Sequence, residues 1–193
     1  MSTRIMTGKV RLSYANLFEP KAIQGGEPKY SVALLIPKTD TDTIAKVEKA
    51  IELALQEGAG KFGGKIPPRG ALKMPLRDGD TERDDPEYAG HYFINANNKT
   101  RPGVVDQNVQ PIIDPEEVYS GCYARATVTF FAYSASGNKG VGAALGNVQK
   151  LADGDRLAGG PSAESEFTAV ATDNGFPTAD ATPFDGGGDS FLS

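Results

Sequence analysis

The segment CYARATVTFFAYS, residues 122–134, constrains the fold more than any other part of the chain. Its side chains alternate between a small apolar set and a set of rings, hydroxyls and one guanidinium group, and a period of two is the signature of a strand with one buried face. The apolar set comprises Ala124, Ala126, Val128 and Phe130. The connection ASGNKG then leads into KGVGAALGNVQKLA, residues 139–152, so a glycine-bearing hairpin is predicted.

Three further segments are predicted as strands. In RIMTGKVRLSYANLF, Val10, Leu12 and Tyr14 fall on one face and Lys9, Arg11 and Ser13 on the other. KYSVALLIP is a nearly continuous apolar run that ends at a proline, and HYFINANN spans residues 91–98.

One segment alone has a convincing helical period. Between the second and third predicted strands, apolar residues recur at helical spacing. They are Ile44, Val47, Ile51, Ala54 and Leu55. Thr and Asp residues at 39–43 offer N-caps and Gly58 suits the C-terminal end.

The resulting order β-β-α-β-β-β predicts a mainly β fold. We expect a small, partly closed antiparallel β-barrel that is OB-fold-like (oligonucleotide-binding), with one main α-helix and long loops. The oligonucleotide-binding type usually carries its helix between the third and fourth strands, whereas this helix follows the second. Either the strand count or the simple topology therefore differs from that type.

The charges divide the chain in two. All 20 Lys and Arg residues and 19 of the 25 Asp and Glu residues lie in residues 1–157, so that part carries +1. The remaining 36 residues carry six carboxylates and no Lys or Arg, hence −6. We therefore predict an OB-like domain over 1–157 and a flexible, disordered acidic tail over 158–193.

Several function classes find little support in the composition. One cysteine and one histidine exclude a disulfide framework and a Cys/His zinc cluster. The chain has no apolar run near 18 residues and no leader, which predicts no membrane association and a cytoplasmic location in the host. The acidic run at 78–87 is typical of a solvated loop, with a magnesium site of a nuclease as the alternative. No nucleophile is paired with a base, so we expect no enzyme, cofactor or metal.

The outer faces of three predicted strands combine rings, cations and polar groups. Single-stranded nucleic acid is bound by such mixtures, because rings stack on bases and cations contact phosphates. The predicted DNA-binding residues are Lys9, Arg11, His91, Phe93, Asn95, Lys99, Arg101, Tyr123, Arg125, Phe131 and Tyr133. The alternative is that the outer face of 122–134 is buried beneath a loop, in which case Arg125 needs a partner.

Four segments carry a resemblance to a known family. KYSVALLIPK, GHYFINANNKTRPGVVD, VYSGCYARATVTFFAY and GVGAALGNVQKLADGDRLAGGPSAESEF resemble the phage single-stranded DNA-binding proteins long catalogued as a domain of unknown function, DUF2815. The resemblance covers roughly residues 1–170. It implies an oligonucleotide-binding barrel, no catalysis, and a role in phage DNA replication or recombination.

The same resemblance suggests a role for the ending PFDGGGDSFLS. Bacterial and phage single-strand binders often end in a flexible acidic tail with an aromatic tip, and this ending is similar, although it has few carboxylates and continues past its last phenylalanine. The predicted partner-binding residues are Phe184, Asp185, Asp189 and Phe191, for replication or recombination proteins of the phage or its host.

The leading hypothesis is thus a non-catalytic, sequence-independent single-stranded DNA-binding protein of a bacteriophage. Two alternatives stay open at this point: a metal-dependent nuclease that uses residues 78–87, and a phage structural or assembly protein.

Overall fold

The structure, a computed structural model, describes residues 2–22 and 25–157. Its strands are β1 Arg4–Met6, β2 Val10–Lys21, β3 Lys29–Pro37, β4 Arg77–Asp78, β5 His91–Asn98, β6 Val104–Val105, β7 Tyr123–Ala135 and β8 Asn138–Ala152. Its α-helices are α1 Thr41–Glu57 and the single turn α2 Gly79–Glu82, and four 3-10 segments lie in the loops.

Five of these strands close into a barrel. The pairing runs β7-β2-β3-β5-β8 and returns to β7, with β5 and β8 parallel and the other neighbours antiparallel. These five are the predicted strands, and the main helix follows the second of them, so the predicted order is confirmed. The departure from the usual position of the helix is therefore a property of this topology and not an error in the strand count.

The N-terminal strand is longer than one regular element. β1 pairs with β7, and the regular strand then stops at residues 7–9. The chain continues as β2, which pairs with the beginning of β7. The Ala126 amide donates to the Thr7 hydroxyl (3.1 Å) and the Thr7 amide donates to the Ala126 carbonyl (2.9 Å), so the interruption stays attached to β7.

Helix α1 packs its apolar stripe against the barrel core. Asp40 caps its start by accepting from the Thr43 amide (3.1 Å), and the Gly58 amide donates to the Ala54 carbonyl at its end (2.9 Å). A Cβ at Gly58 would lie 2.4 Å from the Cβ of Ala132, so only glycine allows the helix to end this close to β7.

The predicted inner face of β7 is confirmed, since all four of its small apolar residues are buried. The predicted alternation along β2 is wrong beyond Leu12. Ser13 is buried, whereas Tyr14 is 52% exposed and has a φ of 48°. The pairing of β2 with β3 shifts register between Ser13 and Asn16, and this irregularity turns the tyrosine ring outward.

None of the helices within the described ranges is long and apolar enough to cross a membrane.

Candidate nucleic-acid interface

An open groove of about 540 Å³ lies on the outer surface of the barrel, across β2, β3 and β5. Its lining mixes uncharged polar residues with small apolar ones and contains one lysine. The lining residues are Tyr14, Asn16, Lys21, Ala22, Ser31, Val32, Ala33, Asn95, Ala96 and Asn97. Its centre is a row of cross-strand partners, because Ser31 pairs with Asn16 on one side and with Asn97 on the other. Such a floor offers amide and hydroxyl groups to a ligand and little steric obstruction.

Tyr14 forms one wall of this groove. The guanidinium group of Arg83 lies 5.4 Å from the centre of its ring and donates to its hydroxyl (3.1 Å). Asn16 donates to the Tyr14 carbonyl (3.1 Å) and to the Ser31 hydroxyl (3.3 Å). Arg83 therefore orients the exposed ring through its hydroxyl and Asn16 holds the backbone of the same residue. An exposed ring that is oriented in this way is a suitable platform for stacking a base.

Cationic side chains surround one end of the groove. A neighbouring pocket of about 220 Å³ shares Lys21 with it and adds Lys29. Beyond the end of β5, Lys99 pairs with Glu27 at 3.0 Å while remaining 64% exposed, and Arg101 lies 5.6 Å from the Phe18 ring. These cations are placed to contact phosphates of a strand that leaves the groove.

The other half of the same outer face is closed. Phe93 is 1% exposed and lies edge-to-face with Tyr88 at 5.1 Å, and Leu35 is buried beside them. Arg83 lies 4.3 Å from the Tyr88 ring, whose hydroxyl donates to the buried Ser13 (3.2 Å). Burial raises the pKa of Tyr88. The prediction that the Phe93 ring is available to DNA is therefore wrong, because this ring is part of a small second core.

The acidic run at 78–87 supplies this cover and is held by cations. Lys38 lies 2.7 Å from both Asp78 and Asp80, and Arg77 lies 2.6 Å from Glu82. Hydrogen bonds from Lys38 lower the pKa of both aspartates, and the same bonds raise the pKa of Lys38. Within the part of the chain that the structure describes, no three His, Cys, Asp or Glu side chains are grouped to hold a metal ion. The run is thus better explained as an ion-paired cover than as a magnesium site.

The outer face of β7 is open and not buried beneath a loop. Arg125 is exposed and its Nε donates to the Gln149 side chain (2.6 Å), while Phe131 is 44% exposed. The rings of Phe131 and Tyr133 lie 6.4 Å apart near the β7–β8 turn. A Cβ at Gly142 would lie 2.5 Å from the Phe131 ring, so this glycine lets the ring lie flat on β8.

The groove and the β7 face are joined by strand pairing. Asn97 in the groove pairs with Ala144 of β8, and Ala144 pairs with Thr129 of β7, two residues before Phe131. A chain of small outward residues therefore connects the groove to the exposed aromatic pair.

Three predicted cationic and aromatic residues lie elsewhere. Lys9 and Arg11 stand over the Tyr123 ring, with their charged groups 4.9 Å and 5.6 Å from its centre. Arg11 also donates to the carbonyls of Gly121 (3.1 Å) and Asp155 (2.8 Å), so much of its bonding capacity is used within the protein. They form a separate cluster near the start of β7.

A comparison with known proteins shows which family the chain belongs to. The family model described as Enterobacter phage Enc34, ssDNA-binding protein, matches residues 3–177. The chain belongs to this family. Among its relatives is putative protein p50 of Acyrthosiphon pisum secondary endosymbiont phage 1, which is 39% identical over 172 residues that cover 84% of this chain and 91% of the relative.

Solved structures agree with the Enc34 family. The single-stranded DNA-binding protein from bacteriophage Enc34 in complex with ssDNA superposes with a TM-score of 0.71 at 30% identity, covering 81% of this chain and 90% of that one. The T7 protein gp2.5, a single-stranded DNA-binding protein, has a TM-score of 0.58 at 17% identity, covering 88% and 98%. The second likeness concerns the fold alone.

Within this Enc34-family barrel, the groove collects only part of the predicted site. Asn95 lines it, Lys99 and Arg101 lie near its end, and His91 lies at the far end of β5, where its Nδ1 is 2.8 Å from the Ala89 carbonyl. The tail residues Phe184, Asp185, Asp189 and Phe191 lie outside the described residues.

Sequence reasoning missed several groove residues. Sequence alternation places Tyr14 on the same face as Val10 and Leu12, and Asn16, Lys21 and Ser31 carry no aromatic–basic pattern. The one available signal was positional, since the outer face of the second and third barrel strands is where oligonucleotide-binding folds take their ligands.

Proposed function

We propose that this chain is a non-catalytic protein that binds single-stranded DNA without sequence preference, in the cytoplasm of a bacterial host during phage DNA replication or recombination. The observation that carries this proposal is the groove across β2, β3 and β5, with its exposed Tyr14 and flanking lysines. Membership of the Enc34 family supports it, because relatives of the same fold are described as single-stranded DNA-binding proteins.

The DNA strand is proposed to follow the groove and leave it across β8 and β7. Bases would stack on Tyr14 and on the pair Phe131 and Tyr133, while Asn95 and the flanking cations contact the backbone. Amides and hydroxyls without a base-specific arrangement suit sequence-independent binding. The cluster of Lys9, Arg11 and Tyr123 is a more distant contact for a longer strand, and Arg125 and His91 extend the surface in the same way.

Gel shift assays at several salt concentrations test this proposal. We expect an unstructured oligonucleotide to bind, a duplex of equal length to bind more weakly, and log affinity to fall linearly with log salt. Incubation with magnesium should leave the labelled strand intact. Cleavage would instead support the nuclease alternative, and absence of any shift at low salt would favour a structural or assembly protein.

The tail is proposed to regulate binding and to recruit replication or recombination proteins. Its six carboxylates, tethered to a barrel whose groove has cations around one end, would compete with DNA at high effective concentration. Truncation near Gly160 should raise affinity modestly, most clearly at low salt where screening is weakest. Changing Phe191 should abolish partner capture. A tail that serves solubility alone predicts neither effect.

A further inference from the structure

Two large aliphatic side chains project from the loop between β6 and β7. Val109 is 66% exposed and Ile113 is 80% exposed; we call this pair the apolar knob. Val109 has a φ of 62°, a conformation that is unfavourable for a β-branched residue and that is typically retained at functional sites. The Val109 amide donates to the Asp106 carbonyl (3.0 Å), so a tight turn fixes this conformation and leaves the side chain outside the barrel core.

Hydrogen bonds and a buried neighbouring residue anchor the knob to the barrel. The Asp106 carboxylate accepts from the amides of Asn108 (2.8 Å) and Gln110 (3.0 Å), and the Asp106 amide donates to the Gln110 carbonyl (2.9 Å). Ile112, between the two exposed residues, is buried in the main core. An exposed apolar surface that is fixed in this way is ready to contact a partner without ordering a loop.

Carboxylates follow the knob in sequence. Asp114, Glu116 and Glu117 are all exposed. Arg156 approaches Glu116 at 3.5 Å, and both side chains remain largely accessible. The partner surface should therefore be apolar at its centre and basic at its margin.

This chain has such a surface on another side. A pocket of about 300 Å³ between β1 and α1 is lined by Ser2, Arg4, Ile5, Met6, Lys46, Lys49 and Ala50; we call it the basic socket. Met6 is 45% exposed in it, and its described lining includes three cations and no carboxylate. β1 pairs with β7 and β6 pairs with β8, so the socket and the knob lie on the two sides of the β7–β8 hairpin.

We propose that the apolar knob of one copy inserts into the basic socket of the next copy, with Glu116 and Glu117 facing Lys46 and Lys49. Because the two surfaces differ, the contact is heterologous and repeats head to tail. The contact buries a small area, so it is weak between free molecules. Copies that sit side by side on one DNA strand meet at high effective concentration, so the contact produces cooperative coating. The DNA part of this inference rests on the proposed function.

Charge reversal tests the contact in the full-length chain. Lys46→Glu with Lys49→Glu, or Glu116→Lys with Glu117→Lys, should each lower cooperativity on a long oligonucleotide about tenfold, while affinity for an oligonucleotide that holds one copy stays near wild type. An equimolar mixture of the two variants should regain cooperativity, because each reversed surface then meets a complementary one. Lys65→Glu with Lys73→Glu is the control with the same charge change.

A disulfide test does not require DNA. Met6→Cys and Ile113→Cys variants, mixed at high concentration and oxidised, should form the mixed dimer faster than either homodimer; the native Cys122 is buried.

The proposal is overturned if the mixed disulfide is not favoured, or if the mixture of charge-reversed variants stays non-cooperative. An effect of the socket variant alone would mean that another ligand, such as the acidic tail, fills the socket, and would also overturn it. If the wild-type protein does not bind the oligonucleotide that holds one copy, the proposed function is contradicted. The disulfide experiment then tests the contact between copies by itself.

Discussion

The outer faces of β3 and β5 have two halves that differ in what covers them. Around Asn95 and Asn97 the face is open and bordered by Tyr14. Around Phe93 and Leu35 it is closed by the ion-paired run at 78–87. Phe93 and Asn95 point the same way from one strand, two residues apart, yet one belongs to a core and the other to a groove. Strand alternation assigns a face, and the cover on that face decides whether a residue is available to a ligand.

The largest expected effect is on the closed half. Phe93→Ala should lower the free energy of unfolding by about 3–5 kcal/mol, because it removes a buried ring and leaves a cavity against Tyr88. Urea denaturation measures this change. Asn95→Ala is the matched control and should leave stability near wild type. Equal, small effects of the two substitutions would mean that Phe93 is not packed in a core.

The open half should show the reverse pattern. Tyr14→Ala should weaken binding of single-stranded DNA by about 1–3 kcal/mol through the loss of a stacked base, with stability nearly unchanged. Fluorescence anisotropy with a labelled oligonucleotide measures it. Tyr14→Phe keeps the ring and should bind normally. If the alanine variant also binds normally, the tyrosine is not a stacking platform.

The cations at the end of the groove should contribute a smaller, salt-dependent effect. Lys21→Gln and Lys29→Gln should each reduce the slope of log affinity against log salt by about 0.7, the value for one phosphate contact on a single strand. Lys65→Gln, on the loop after α1, serves as the control. A loss restricted to particular base sequences would indicate base readout and contradict the proposed mode.

The smallest expected effect is the pH response of the cover. Asp78 and Asp80 have lowered pKa values in the folded protein, so their stabilising contribution is present above the unfolded aspartate value of about 3.9 and is lost as pH falls through the folded values. The protection of amides at residues 77–90 against hydrogen exchange, relative to the intrinsic rate at each pH, should therefore fall on acidification below about pH 4 before protection in β7 does. Lys38→Met should remove most of that difference. Simultaneous loss of protection in both regions would show that the cover does not open separately.

Sequence patterns predicted the barrel because its five long strands and one helix have regular periods. The same patterns predicted the candidate site less completely than they predicted the barrel. The outward turn of Tyr14 depends on a register irregularity in β2, and the burial of Phe93 depends on a loop that contacts it from far along the chain. The hydrophobic period of the sequence indicates neither the register irregularity nor the contact with the loop. Sequence alternation does place Asn95 on the outer face, where it lines the groove, because its neighbours in space are also strand residues with the expected alternation.

The central claim is that the open half of the β3–β5 face binds single-stranded DNA, and alkylation of an introduced thiol tests it most directly. The native Cys122 is buried and burial raises its pKa, so it reacts slowly. In an Asn97→Cys variant, saturating single-stranded DNA should slow maleimide labelling severalfold, whereas a Thr39→Cys variant, exposed at the turn before α1, should be labelled at the same rate with and without DNA. Unchanged labelling at position 97 while DNA is bound would contradict the account and move the interface to another face of the barrel.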